Sequence, residues 1–220
     1  MQAQSITEDA ITMNRHILQL EGAALIEEYR KNGMDDIHWT FPSLLLRYGL
    51  QSNIELRLAT ALEGKKHIHR LENGLLGNIE IGVKLRLIKS SSTNLSMTNH
   101  LIFSTTPDKF KHNEVDAVTS LIASQDIGQK WQLGAAIQYI FEDSPQRDLN
   151  YSGIVYYNIN TDWQIYIETY GEVLSHDFIT NLDTGVNWQL TPKFQWQLSA
   201  GTNLKEIYHF ASTGFVWQIN

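Results

Sequence analysis

Apolar and polar residues alternate with a period of two along almost the whole chain. In GNIEIGVKLRL (77–87), Ile79, Ile81, Val83, Leu85 and Leu87 share one parity, and Glu80, Gly82, Lys84 and Arg86 share the other. Successive side chains of a β-strand point to opposite faces, so this pattern specifies a strand with one apolar and one polar face. It recurs in NIELRLATAL, KWQLGAAIQYIF, DWQIYIETYGE, NLDTGVNWQL, KFQWQLSAG and the terminal GFVWQIN. Residues 17–31 also read as a strand, because Gln19 and Glu21 alternate with Leu18, Leu20 and Gly22. The chain is all-β, with about twelve strands.

Alternation alone leaves the direction of the faces open. In a soluble barrel the aliphatic face fills the core; in a membrane barrel it meets lipid and the charges line the lumen. The connections bear on the choice. Tight turns are expected at LQSN (50–53), SSSTN (90–94), IGQK (127–130), NINTD (158–162) and LTPK (190–193). Between them lie longer polar links, RKNGMDD, EGKKHIHRLENG, TPDKFKHNEVD, EDSPQRDLN, EVLSHDF and NLKEIYH. An even-stranded antiparallel meander with short turns at one rim and long loops at the other is the habit of outer-membrane barrels: short periplasmic turns, longer extracellular loops.

The rings point the same way. Tyr48, Trp131, Trp163, Trp188, Phe194 and Trp217 each lie near an expected short turn or the C-terminus, on the parity of the aliphatics. That is the pattern of a membrane-interface aromatic girdle. Tyr139, Phe141 and Tyr151 are candidates for a girdle at the other rim. On the polar parity, Arg47, Glu55, Arg57, Glu80, Lys84 and Arg86 fall on neighbouring strands. Inside a barrel they would neutralise one another across strands as a lumen-lining charge cluster. Glu168 and Asp183 share that side without a local cation, and are expected to reach across to the basic residues.

The formal charge of −7 gives no basic surface for nucleic acid. Charged residues make up 19% of the chain, fewer than in most soluble domains, and cysteine is absent. No run approaches the length of a transmembrane helix. The opening MQAQSITEDAITMNRH lacks the basic start and apolar run of a signal peptide. Beside the barrel pattern, it reads as a mature exported chain behind an initiator Met. The expected organisation is an N-terminal periplasmic segment (1–14) and a single transmembrane barrel (15–220).

FPSLLLRYGLQSNIELRL, LGNIEIGVKLRL, DIGQKWQLGAAIQY, WQIYIETYGE and DTGVNWQLTPKFQWQLSAGTNL, in this order, resemble segments of a family of outer-membrane β-barrels. That family is described as transporters of the meta-pathway of phenol degradation, and the resemblance covers roughly residues 15–220. It implies a barrel in the bacterial outer membrane and supplies no catalytic residues.

Other chemistry finds little footing. His67 and His69 in KKHIHR, and His112, Glu114 and Asp116 in HNEVD, lack further ligands at metal spacing. His209 and Ser212 fall on opposite faces of a strand; His100 and Ser104 share a face without an orienting third group. We assign no catalytic residue, metal or cofactor. Three readings remain: a small channel or transporter for small solutes with a charged lumen, a non-conducting barrel serving an outer-membrane protein complex, and a soluble ligand-binding barrel. The corresponding partners are membrane lipids, a small-molecule solute or an envelope complex.

Overall fold

A computed structural model describes residues 6–31, 34–67, 70–105, 115–141, 148–173, 178–205 and 207–220. Its strands are β1 (Leu18–Lys31), β2 (Met34–Gln51), β3 (Ile54–His67), β4 (Arg70–Leu76), β5 (Ile79–Lys89), β6 (Thr93–Phe103) and β7 (Val115–Ile127). They continue with β8 (Trp131–Phe141), β9 (Asp148–Asn158), β10 (Trp163–Val173), β11 (Phe178–Thr191), β12 (Phe194–Asn203) and β13 (Ile207–Gln218). Each pairs antiparallel with its neighbours, and β1 pairs with both β2 and β13, so the sheet closes on itself. Closure removes the exposed edge strands an open sheet would carry.

The thirteen segments make twelve staves. Ile54–Ala59 of β3 pair with β5, and Leu62–His67 of the same strand pair with β4. β4 and β5 are therefore one stave interrupted at Gly77 and Asn78. There the Gly77 N–H donates to the Ala61 carbonyl at 2.7 Å.

All five expected short turns join consecutive strands at one rim. Asn160 Oδ1 closes one of them, accepting the N–H groups of Asp162 at 2.9 Å and Trp163 at 2.8 Å. The ends of β1 and β13 meet at that rim, where Ile219 N–H donates to the Leu18 carbonyl. The far rim departs from expectation. RKNGMDD and EGKKHIHRLENG were expected as loops, but among the described residues the ladder extends into both, pairing Tyr29 with Asp36 and Lys66 with Leu71. Polar residues on both faces do not break an antiparallel ladder; they stop it from showing a buried face. NLKEIYH also contributes to strands, with β12 running to Asn203 and β13 starting at Ile207. Most of TPDKFKHNEVD and EDSPQRDLN lies outside the described residues.

The question left by the alternation is resolved by exposure. Ile137 and Ile167 are 57% and 65% exposed, whereas Glu55, Lys84 and Glu168 are 0% exposed. The aliphatic parity faces outward and the polar parity inward. Among the described residues the buried apolar cluster is Ala23 and Leu25 with Phe210 packed against them. A soluble barrel with an apolar interior is thereby ruled out. The chain is a transmembrane β-barrel whose outward aliphatic belt suits lipid.

Candidate functional site

The interior is not empty. Residues 6–14 run inside the barrel. Thr7, Ala10 and Thr12 are buried there. The physical reason is that the interior polar groups need partners, and this polar segment supplies them. The chain reaches the wall at the short-turn rim, where His16 N–H donates to the Gly49 carbonyl at 2.7 Å and Gly49 N–H to the Ile17 carbonyl at 3.0 Å. Gly49 is needed at this crossing, because a Cβ there would collide with the Asn14 backbone carbonyl.

One side of the interior is basic. The register sets Arg47 of β2 directly opposite Arg57 of β3, and Glu55 opposite Lys84 of β5. Like charges directly opposite one another repel. Glu55 offsets this by accepting from Arg47 Nε at 2.7 Å and Nη2 at 2.9 Å, with Arg57 Nη1 at 4.0 Å. Arg47 Nη1 also donates to Glu21 Oε1 at 2.9 Å, and Gln19 donates to the same oxygen at 2.7 Å.

The guanidinium of Arg57 is turned to the inner segment. Its Nη1 and Nη2 donate to the two carboxylate oxygens of Glu8 at 2.5 and 2.6 Å. This is the bidentate fork that planar guanidinium and carboxylate groups favour. Lys84 Nζ stands 3.3 Å from Glu8 Oε2 and donates to the Asp9 carbonyl. The segment continues along the wall. Ser124 donates to Asp9 Oδ1 at 3.2 Å, Arg47 Nη2 to the Ile11 carbonyl at 3.4 Å, Thr12 to the Ser52 carbonyl at 2.9 Å, and Met13 N–H to Glu55 Oε2 at 2.9 Å.

The acidic side lies on β10 and β11, where Glu168 and Asp183 are direct cross-strand partners. They were expected to reach over to the basic residues. Instead, Glu168 accepts the backbone N–H groups of Ile6, at 2.8 Å, and Thr7. Asp183 is 5% exposed, and its Oδ1 has no hydrogen-bond partner. Tyr166 lies beside them because Gly185 leaves space for its ring.

The remaining two members of the expected cluster sit apart from it. Glu80 is 3.6 Å from His100 Nδ1, whose ring fits over Gly82. Arg86 is half-buried near the short-turn rim, and its backbone N–H bonds the Asn53 carbonyl at 2.9 Å.

On the outer face, Trp163 and Trp188 are register partners and stack with centroids 5.0 Å apart. Trp188 is in turn opposite Trp196, and Phe194 opposite Trp217. Trp131 packs on Tyr157 at 4.6 Å. Tyr48 sits at the same rim and bonds His16 Nδ1 through its hydroxyl at 3.1 Å. Tyr157, Trp196 and Phe215 extend this ring set beyond the residues singled out in the sequence. Towards the other rim, Tyr139 and Phe141 pack edge to face, and Tyr151 bonds Thr180 Oγ1 at 2.7 Å.

A family model described as "Putative MetA-pathway of phenol degradation" matches residues 19–219. The chain belongs to this family. No curated protein sequence matches it. Among solved structures, this chain is similar to the COG4313 outer membrane channel from Pseudomonas putida F1. The two share 13% identity at a TM-score of 0.72, over 98% of this chain and 100% of that one. The NanC porin gives 12% and 0.65 over 92% and 100%, and the KdgM porin 7% and 0.65 over 92% and 99%. At such identities the likeness establishes the fold. With the outward aliphatic belt and the family membership, it makes the chain a bacterial outer-membrane β-barrel.

The match to this family begins at residue 19, so it does not extend to the inner segment. The sequence signal for that segment is faint. Glu8 and Asp9 lie in a polar stretch without periodicity, and their partners are distant in sequence. Among the described residues no group of three His, Cys, Asp or Glu is placed to hold a metal ion. His69, His112 and Glu114 lie outside the described residues, Asp116 pairs with Ile102 within the sheet, and for His67 only the backbone at the end of β3 is described. Ser212 turns to Ser199 at 2.6 Å, on the face opposite His209.

Proposed function

We propose that this protein is an outer-membrane channel for small polar solutes. The barrel interior is the path, and residues 6–14 are a stopper that must shift for solute to pass. The observation that carries the reading is the Glu8–Arg57–Lys84 contact. The wall presents buried cations, and the carboxylate that neutralises them belongs to a segment outside the barrel strands. A purely structural interior would more simply pair its charges strand to strand, as Arg47 does with Glu21 and Glu55. A barrel of twelve staves lies between those filled by their own side chains and the wide aqueous porins. Its interior has room for a segment and, with the segment aside, for a narrow path. Arg47, Glu55, Arg57, Lys84, Glu168 and Asp183 are then the groups a passing solute meets.

One observation favours the second reading, a non-conducting barrel serving an envelope complex: the segment is bonded at many points along the interior. Swelling of liposomes containing the refolded protein, in isosmotic solutions of small polar solutes, separates the two. A channel gives swelling that slows as solute size increases. A sealed barrel gives none, although protected strands show it to be inserted.

A further inference from the structure

The inner segment is bound as a ligand would be, and its chemistry is informative. Three successive residues contact the two opposite sides of the interior. At Thr7 the backbone N–H donates to Glu168 on β10, and the Ile6 N–H donates to the second oxygen of the same carboxylate. At Glu8 the side-chain carboxylate fills the Arg57 fork and approaches Lys84. Within three residues, Ile6 to Glu8, the segment thus offers two N–H donors to an acidic wall and a carboxylate to a basic wall.

Both ends are incompletely matched: at the basic end the Arg57 fork is filled while its Nε has no partner, and at the acidic end no positive charge is supplied. Arg57 and Lys84 side chains are 2% and 0% exposed and have their carboxylate. Glu168 receives neutral amides, which supply hydrogen bonds but no positive charge; an ammonium group would add a Coulomb attraction that amides lack. Beside it, Asp183 Oδ1 is buried with no hydrogen-bond partner. A second carboxylate with one buried oxygen unpartnered, next to the first, marks a place for positive charge that the segment does not supply.

We infer that this part of the interior is a binding site for a small zwitterion, an amino acid or short peptide. Its carboxylate takes the place of Glu8 on Arg57 and Lys84, and its ammonium group sits between Glu168 and Asp183. This inference rests on the channel reading, since the solute must reach the interior and displace the segment. It makes the segment an internal competitor, and the zwitterion the stronger partner at the acidic wall. A carboxylate alone gains only the basic wall, and an amine alone gains only the acidic one.

The test is isothermal titration calorimetry on the detergent-folded full-length chain, as wild type and as Glu8→Gln. The probes are 5-aminopentanoate, pentanoate and 1-aminopentane. In Glu8→Gln, 5-aminopentanoate should bind at least about tenfold more tightly than either half-molecule, because each charged hydrogen bond contributes about that factor or more. Wild type should bind it more weakly than Glu8→Gln. Added to Glu8→Gln, Arg57→Gln should lower its affinity towards that of 1-aminopentane, and Asp183→Asn towards that of pentanoate, with Lys84 and Glu168 keeping part of each wall. If Arg57→Gln does not fold, Arg57→Lys, which keeps the charge without the fork, should still weaken the zwitterion. Equal binding of the three probes, or an affinity indifferent to both walls, overturns the inference. Bilayer currents from the same Glu8→Gln protein keep the two proposals distinct. A variant that binds the zwitterion selectively and passes no current overturns the channel and leaves the site. One that conducts without selective binding overturns the site alone.

Discussion

Arg47 and Arg57 face each other across β2 and β3 in direct register, and Glu55, 0% exposed, lies between them. Three strands meet in this arrangement, because Glu55 is also the register partner of Lys84. Glu55 is the carboxylate the two guanidinium groups share, while Glu21 also pairs with Arg47 and Glu8 with Arg57. Glu55→Gln should therefore cost on the order of 3 kcal/mol, the lower range for removing one partner of a buried ion pair. The measurement is the unfolding midpoint in urea, followed by loss of heat-dependent gel migration. A loss far smaller than that of breaking such a pair would mean that water in the interior already screens the arginines.

Gly49 is the point where the segment turns off the wall. A methyl group there would meet the Asn14 carbonyl, which is backbone and has little freedom to yield. Gly49→Ala should displace the segment while β2 and β3 stay paired. The expected readout is new protease cleavage within residues 6–14 of the refolded barrel, with the strands still protected. Unchanged protection of that segment would show that the crossing tolerates a side chain.

Arg86 lies on the inner parity near the short-turn rim, apart from the Arg47–Glu55–Arg57 network. Among the described residues its guanidinium makes no ion pair. Arg86→Glu should shift the reversal potential of any open channel towards cation preference. Its effect on stability should stay within the roughly 0.5 kcal/mol usual for substitutions away from packed or paired groups. A stability loss like that of Glu55→Gln would instead place Arg86 in the charge network.

Trp163 and Trp188 stack nearly parallel, at 8°, near the short-turn rim. Trp188→Ala removes this contact, worth about 0.5–1.5 kcal/mol beyond the area buried. It also removes an interfacial anchor. Slower folding into lipid vesicles, with a smaller effect in detergent micelles, is the expected pattern. Equal slowing in both media would make the pair a packing feature with no interfacial role.

The barrel was legible because closure and lipid both act on every strand. Ile79 to Leu87 alternate strictly since each residue faces either a hydrocarbon or a wet interior. The short turns were legible through Asn, Gly, Ser and Pro chemistry at 52–53, 128–130, 159–162 and 192–193. The extensions of β3 and β4 beyond the apolar belt were not, because KKHIHRLENG shows no apolar and polar alternation of period two. The basic residues could be grouped by parity on adjacent strands. Their true carboxylate partner could not, because Glu8 is 49 residues from Arg57, and Thr7 is 161 from Glu168. Local pattern carries no information about contacts made through the interior. The same limit explains Glu168 and Asp183, which turned out to face each other across β10 and β11 instead of reaching over to the arginines.

The central claim is that the interior is a path and that Glu8 holds it shut. Single-channel recording of the wild type and of Glu8→Gln in planar bilayers tests it most directly. Losing the charge-assisted fork on Arg57 removes about 1.5–3 kcal/mol of stopper binding. The account predicts brief, infrequent openings in the wild type and an open probability at least about tenfold higher in Glu8→Gln, at unchanged unit conductance. Identical open probability in the two, or silence from both in barrels shown to be inserted, would contradict it.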